Sequence, residues 1–366
     1  MEKIKLGDIS KLINGDRGKN YPSQADITKE GEIPFVNAGH LNGRNIDFGE
    51  MNYISREKYG KLSSGKFQRG DILYCLRGSL GKKAIVSNDI EGAIASSLVV
   101  IRPDREKVNG EYLMLALDSP AIKEQLVKAN NGSSQPNLSA ASVREYDIEL
   151  PELSVQKEVV ERLEKVKNVI DSRMQELQLL DELIKARFVE MFGDPINNSK
   201  RLETTDFVNV VKLQRGFDLP VQDRVQDGDI PVFGSNGALD SHNEAKVIGG
   251  GVITGRSGSI GKVYYTEEDY WPLNTSLFSA DLHGNNIVYL AYLLELFDLS
   301  RFADGTGVPT LNRNNVHNKQ IISVPVKQQK EFSAFVKQVD KLKVAVQKTL
   351  DETQLLFDSL MQKYFG

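Results

Sequence analysis

Two glycine-flanked turns come nearest to a phosphate-binding loop in this sequence: Gly78-Ser79-Leu80-Gly81-Lys82 and Gly258-Ser259-Ile260-Gly261-Lys262. A P-loop needs a further glycine five positions before its Gly-Lys pair, and Ser or Thr directly after it. Leu76 and Lys83 hold those places in the first turn, and Arg256 and Val263 hold them in the second. Neither turn therefore qualifies. Each is a turn with an exposed lysine or a contact to a DNA phosphate, and the flanking Arg77 and Arg256 add charge to either reading.

Other reaction chemistry finds no residues to carry it. The four histidines, His40, His242, His283 and His317, show no metal-ligand spacing. Cys75 is the single cysteine, so neither an internal disulfide nor a thiolate metal site can form. It lies in the apolar run Ile72-Leu73-Tyr74-Cys75-Leu76 and reads as core. Carboxylates are plentiful but scattered, so no acid–base pair stands out. An Asn-Pro-Pro-Tyr-like segment of the adenine methyltransferase kind is missing, as is a dinucleotide-type glycine fingerprint. The expectation is a protein with no catalytic residue, no metal and no cofactor of its own.

Composition is that of an ordinary soluble protein, with 40% hydrophobic and 26% charged residues. No apolar run reaches membrane-spanning length, and Met1-Glu2-Lys3-Ile4-Lys5 does not open a signal peptide, so a cytoplasmic location is expected. The net charge of −4 does not favour nucleic acid. Residues 1–150 hold 21 Lys and Arg against 20 Asp and Glu, whereas residues 194–325 hold 11 against 16. Any DNA contact must come from local basic loops.

The elements that would position such loops occur twice. Ile33-Pro34-Phe35-Val36-Asn37 returns as Ile230-Pro231-Val232-Phe233-Gly234. The Gly-Ser-x-Gly-Lys turns recur at an offset of 180 residues. Gly132-Ser133-Ser134-Gln135-Pro136-Asn137-Leu138 is echoed by Gly305-Thr306-Gly307-Val308-Pro309-Thr310-Leu311, an offset of 173. Gln156-Lys157-Glu158 matches Gln329-Lys330-Glu331, and Phe192-Gly193 matches Phe365-Gly366, at the same 173. Their common order implies duplication.

Each copy ends in a long helix. From Ser154 to Met191 there is no Pro or Gly, and apolar residues from Val155 through Met174 to Met191 recur every three or four positions. Ser154 is suited to cap the start, and Gly193 followed by Pro195 to stop it. The second copy carries a similar row from Phe335 to Tyr364, including Leu342. Such narrow stripes favour helices pairing as a coiled coil over each helix packing only on its own domain. The preceding segments read as short strands, such as Asp71–Leu76, Ser97–Ile101 and Gly249–Thr254, with short helices near Gly110–Leu117 and Ile287–Phe297. The fold class expected is α+β: two globular domains separated by two long antiparallel coiled-coil helices, with a pseudo-twofold internal repeat. The divisions are 1–150, 151–193, 194–325 and 326–366.

This order, and above all the Gly132–Leu138 segment running through Glu149-Leu150-Pro151-Glu152-Leu153 into Gln156-Lys157-Glu158, resembles the DNA-specificity subunit of Type I restriction–modification enzymes. The second copy departs from it, with Val308 and Thr310 in place of Gln135 and Asn137. The resemblance implies target-recognition domains at 1–150 and 194–325, each reading one half of a split, asymmetric site on double-stranded DNA. It implies conserved spacer helices that act as a ruler. Two methyltransferase subunits would dock on them, with restriction and motor subunits beyond, and S-adenosylmethionine, ATP and Mg would sit on those partners. Candidate DNA-contact residues are polar loop side chains able to reach base edges and phosphates. In the first domain they are Arg17, Lys19, Asn20, Tyr21, Asn37, His40, Asn42, Arg44, Arg77, Lys82 and Lys83. In the second they are Arg215, Ser235, Asn236, Arg256, Ser257, Lys262, Asn274 and Arg313. The competing reading is a coiled-coil scaffold that joins proteins without touching DNA, favoured by the acidic second domain. A fused restriction–methylation enzyme is disfavoured by its missing motifs.

Overall fold

The computed structural model describes residues 3–130, 136–305 and 309–366. Gly132–Gln135 of the first repeated loop and Thr306–Val308 of the second lie outside the described residues. The chain forms two compact units, residues 1–172 with 351–366, and residues 173–350.

The first unit is organised by a four-stranded antiparallel sheet in the order Ser10–Asn14, Leu98–Pro103, Ile72–Cys75, Lys83–Ile85. Both faces of its central strands are covered, so Ile72–Cys75 and Leu98–Ile101 are continuous apolar runs buried throughout. A second sheet places Ile33–Val36 between Tyr53–Ile54 and Gly92–Ile94, with Lys66–Phe67 at its far edge. A short pair, Lys3–Lys5 with Asp147–Glu149, closes the domain.

The second unit repeats this plan. Its main sheet runs Lys212–Arg215, Ser276–Asp281, Gly251–Gly255, Val263–Thr266, again all antiparallel. Ile230–Gly234 pairs in parallel with Trp271–Pro272, as Ile33–Val36 does with Gly92–Ile94. Thr204–Asp206 with Gln320–Ile322 is the closing pair. The duplication read in the sequence is therefore a duplication of topology.

The long helices run from Leu153 to Phe192 and from Val326 to Phe365. The first begins one residue before Ser154, so that serine lies in the first turn and does not cap it. Buried Gln156 is the stronger anchor there. Its Oε1 accepts from the Asn109 amide (2.8 Å), and its Nε2 donates to the Pro151 (2.8 Å) and Lys107 (3.1 Å) carbonyls.

In the first unit, the start of one long helix lies beside the end of the other. Arg162 donates to the Tyr364 hydroxyl at 3.3 Å, and the Phe365 ring meets Tyr112 at 5.0 Å. In the second unit Lys343 pairs with Asp181 at 2.5 Å, while Phe332 packs on Phe188 and Phe192. Numbering falls along one helix as it rises along the other, so the pairing is antiparallel in each unit. The apolar stripes are not reserved for the partner helix. Val159, Leu163, Met361 and Phe365 join Tyr112 and Leu113 in one core, and Ile184, Phe188, Phe192 and Phe332 join Tyr289 and Leu293 in the other. Between 171 and 183 no residue of the first helix is buried. Met174 and Leu342, both expected in the seams, are each 57% exposed. Among the described residues no helix is long and apolar enough to cross a membrane.

Candidate nucleic-acid interface

Sheet topology decides which loops meet. In the first unit, strand Ser10–Asn14 ends, strand Ile72–Cys75 ends and strand Leu98–Pro103 begins at the same edge, where Asn14 faces Val99 and Cys75 faces Leu98. The loops at 15–21, 76–82 and 95–97 therefore emerge together. Crowding at this edge explains Gly15: a Cβ there would stand 2.8 Å from the Ala95 carbonyl oxygen. The second unit repeats the device at Gly216, whose Cβ would meet the Leu273 carbonyl.

The 15–21 loop is held by a residue absent from the list of candidates. Buried Asp16 accepts from the Gly18 amide (2.8 Å) and from the Ser63 amide and hydroxyl (2.8 and 2.9 Å). These hydrogen bonds, that of Gly18 foremost, hold its carboxyl below the usual carboxylate range. The loop then presents Arg17 and Lys19, both exposed, with Asn20 half-buried. Arg17 reaches the Ser96 carbonyl at 3.5 Å, and the Tyr21 hydroxyl accepts from the Ser96 amide at 3.4 Å. Beside them Arg77 is exposed and donates to the Asn137 side chain at 3.2 Å. Lys82 is half-buried in the same turn.

Four candidates of the first domain are occupied elsewhere. Lys83 is 3% exposed and its ammonium pairs with Asp118, so it does not reach the exposed edge where Arg17 and Arg77 lie. Burial of the ammonium lowers its pKa. His40 is buried as well. Its Nδ1 accepts from the Asn37 amide (3.1 Å) and its Nε2 lies 3.2 Å from the Glu50 carbonyl, an arrangement that suits a neutral ring. Asn37 caps the short turn through the Gly39 amide. Arg44 is held by Glu111 (2.7 Å) and Glu164 (2.5 Å). Asn42 remains exposed, its side chain accepting from the Asn45 amide at 3.2 Å.

In the second unit the same edge gathers Arg215, Arg256, Ser257 and Asn274. Arg215 faces Leu277 at the end of its strand, and Gly255 faces Ser276. The segment after the second repeated loop joins them, because the Leu311 amide donates to the Arg256 carbonyl at 2.8 Å and Ser257 bridges Thr310. The result is a groove of about 280 Å³ lined by Arg215, Arg256, Arg313, Thr310, Asn312 and Asn314, with Leu277 and Leu311 beneath. Asn274 is occupied by Asp218. Ser235 and Asn236 form the two-residue turn between Gly234 and Gly237. Lys262 is exposed, its carbonyl accepting from Thr254.

The contacts bear out the register set by the 180-residue offset of the two turns, in which Leu76 and Arg256 correspond. In the first unit the Leu138 amide donates to the Leu76 carbonyl at 2.8 Å, and Arg77 bridges Asn137. The counterpart of Arg256 is therefore Leu76, which is buried, and that of Arg77 is Ser257. The two arginines are one residue out of phase. Thr310, Asn312 and Asn314 are not among the candidate contact residues read from the sequence. The polar run Asn312-Arg313-Asn314-Asn315, following directly on the second repeated loop, was the available signal.

Similarity to known proteins runs across both halves. The chain matches the family described as the Type I restriction modification DNA specificity domain at residues 1–182 and again at 200–353. It is 24% identical over 207 residues to the Type I restriction enzyme EcoBI specificity subunit of Escherichia coli, covering 55% of this chain and 44% of that protein. It is 26% identical over 233 residues to the MjaVIII specificity subunit of Methanocaldococcus jannaschii, covering 60% of this chain and 49% of that protein. The match thus spans about half the length of these relatives. Two solved structures share the fold along 100% of this chain. One is a Type I restriction–modification S subunit from M. genitalium, with a TM-score of 0.60, 14% identity and 96% of that chain covered. The other comes from a study of the assembly and conformational transition of a Type I system, with a TM-score of 0.64, 18% identity and 97% covered. With family matches in both halves and the fold shared end to end, the chain belongs to the Type I restriction–modification DNA specificity family.

Proposed function

We propose that this chain is the non-catalytic subunit that gives a Type I restriction–modification enzyme its DNA sequence, by reading a bipartite, asymmetric site on double-stranded DNA. The observation that carries the reading is the repeated sheet edge, on which the same three strands deliver loops of different sequence: Asp16-Arg17-Gly18-Lys19-Asn20-Tyr21 in one copy and Phe217-Asp218 with Arg215 in the other. One scaffold with two sets of side chains suits two half-sites of different sequence. The domains are assigned to 1–150 and 194–325, and the spacer helices to 151–193 and 326–366. Methyltransferase subunits binding S-adenosylmethionine, and restriction or motor subunits using ATP and Mg, are the partners this role requires.

The pure chain, incubated with labelled S-adenosylmethionine and unmethylated DNA, should transfer no label. Assembled with methyltransferase partners, it should direct methylation to a single two-part motif. Label transfer by the chain alone, or methylation without a motif, would overturn the reading.

A further inference from the structure

Resting on that reading, the geometry points to a phosphodiester-binding groove at Arg215, Arg256 and Arg313 in the second recognition domain. Residues 194–325 are acidic overall, with 11 Lys and Arg against 16 Asp and Glu. Two other cations of this segment are paired, Arg224 with Asp240 and Lys246 with Glu244. Yet three guanidinium groups line one small groove, and no carboxylate lines it among the described residues. Its remaining polar residues are Thr310, Asn312 and Asn314, which are neutral.

Three like charges gathered without a counter-ion repel one another, and the arrangement becomes favourable when a full negative charge enters. Guanidinium groups meet a phosphate through two parallel hydrogen bonds, which fits an arginine-only cluster. A guanine edge offers partial charges, which compensate three cations less well. The phosphate backbone is therefore the occupant favoured.

Among the described residues the first domain has no counterpart of this groove. Strand register places Asn14 where Arg215 stands, since Asn14 faces Val99 as Arg215 faces Leu277. Leu76 replaces Arg256, because each carbonyl receives the amide of the corresponding leucine, Leu138 or Leu311. Two residues after those leucines stand Ala140 and Arg313. All three arginines belong to one copy, whereas the first edge carries its charge on the separate loops of Arg17, Lys19, Arg77 and Lys82.

The test uses the full chain assembled with methyltransferase partners, and two duplexes: one carrying the motif read from wild-type methylation, one with that motif scrambled. Affinity is measured from 50 to 200 mM salt for wild type, Arg256→Gln, Arg313→Gln and Arg256→Lys. Each Gln variant should bind both duplexes more weakly by a similar factor. Its slope of log affinity against log salt should be shallower by about one, so the loss across this range should be about threefold smaller than for wild type. Arg256→Lys should recover most of the affinity and slope. Loss confined to the motif duplex with an unchanged slope would overturn the inference in favour of base reading. Unchanged binding to both duplexes would overturn it outright. Wild type binding neither duplex would overturn the functional reading, and this inference with it.

Discussion

Gln156 and Gln329 share two hydrogen bonds in the two halves of the chain, and each adds a third, to the Lys107 carbonyl or the Asn285 side chain. Each is fully buried. Each accepts through Oε1, at 2.8 Å, from the amide of the asparagine that caps a domain helix: Asn109 in one half and Asn286 in the other. Each donates through Nε2 to the carbonyl of a residue just ahead of its own long helix, Pro151 or Val324. The repeated Gln-Lys-Glu is thus a joint between a globular domain and its long helix.

Gln156→Leu or Gln329→Leu should each lower stability by about 1–3 kcal/mol, since a buried amide donor and a buried carbonyl lose their partner. Urea unfolding of the full chain measures this. Unchanged midpoints for both variants would show that the joint contributes nothing.

Lys83 and Asp118 should behave asymmetrically. Lys83 is 4% exposed in its side chain while Asp118 is 54% exposed. Asp118→Ala strands a buried ammonium and should cost about 3 kcal/mol. Lys83→Met leaves a carboxylate that water can reach and should cost clearly less. Denaturant midpoints for the two variants give the order, and the reverse order would contradict the placement of Lys83 inside the domain.

Two histidines make stability depend on acid. Burial is the main cause lowering both the His40 and the His317 pKa below 6.5, and Arg313 and Lys212 lower His317 further. Each ring accepts from a backbone amide, His40 from Asn37 and His317 from Leu213 at 3.1 Å. A lowered folded pKa means that the unfolded chain takes up the proton first. The contribution is therefore complete above pH 6.5 and lost as pH falls through the folded values. Urea midpoints should drop between pH 7.5 and 5.5, and the drop should shrink in the His40→Gln, His317→Gln double variant. An identical drop in that variant would assign the effect to other groups.

Local patterns made the helices legible in the sequence, because a stripe at three- and four-residue spacing reports one face of a helix. The repeat was legible because short motifs kept their order. Strand order was not, since pairing such as Arg215 with Leu277 joins residues far apart in the chain. For the same reason the meeting of Arg215, Arg256 and Arg313 had no local signal. Lys82 and Lys83 look alike as neighbours in a turn. Only the second begins a buried strand and meets an aspartate 35 residues away. The one-residue phase difference between Arg77 and Arg256 was legible, since Arg77 directly precedes its Gly-Ser-x-Gly-Lys turn and Ser257 stands between Arg256 and the other.

Independent reading by two domains is tested by exchanging residues 194–325 for the matching domain of a relative and sequencing methylated DNA from cells that carry the hybrid with its partners. One half-site of the methylated motif should be new and the other kept. A motif changed in both halves, or in neither, would contradict a chain that reads DNA through two independent domains.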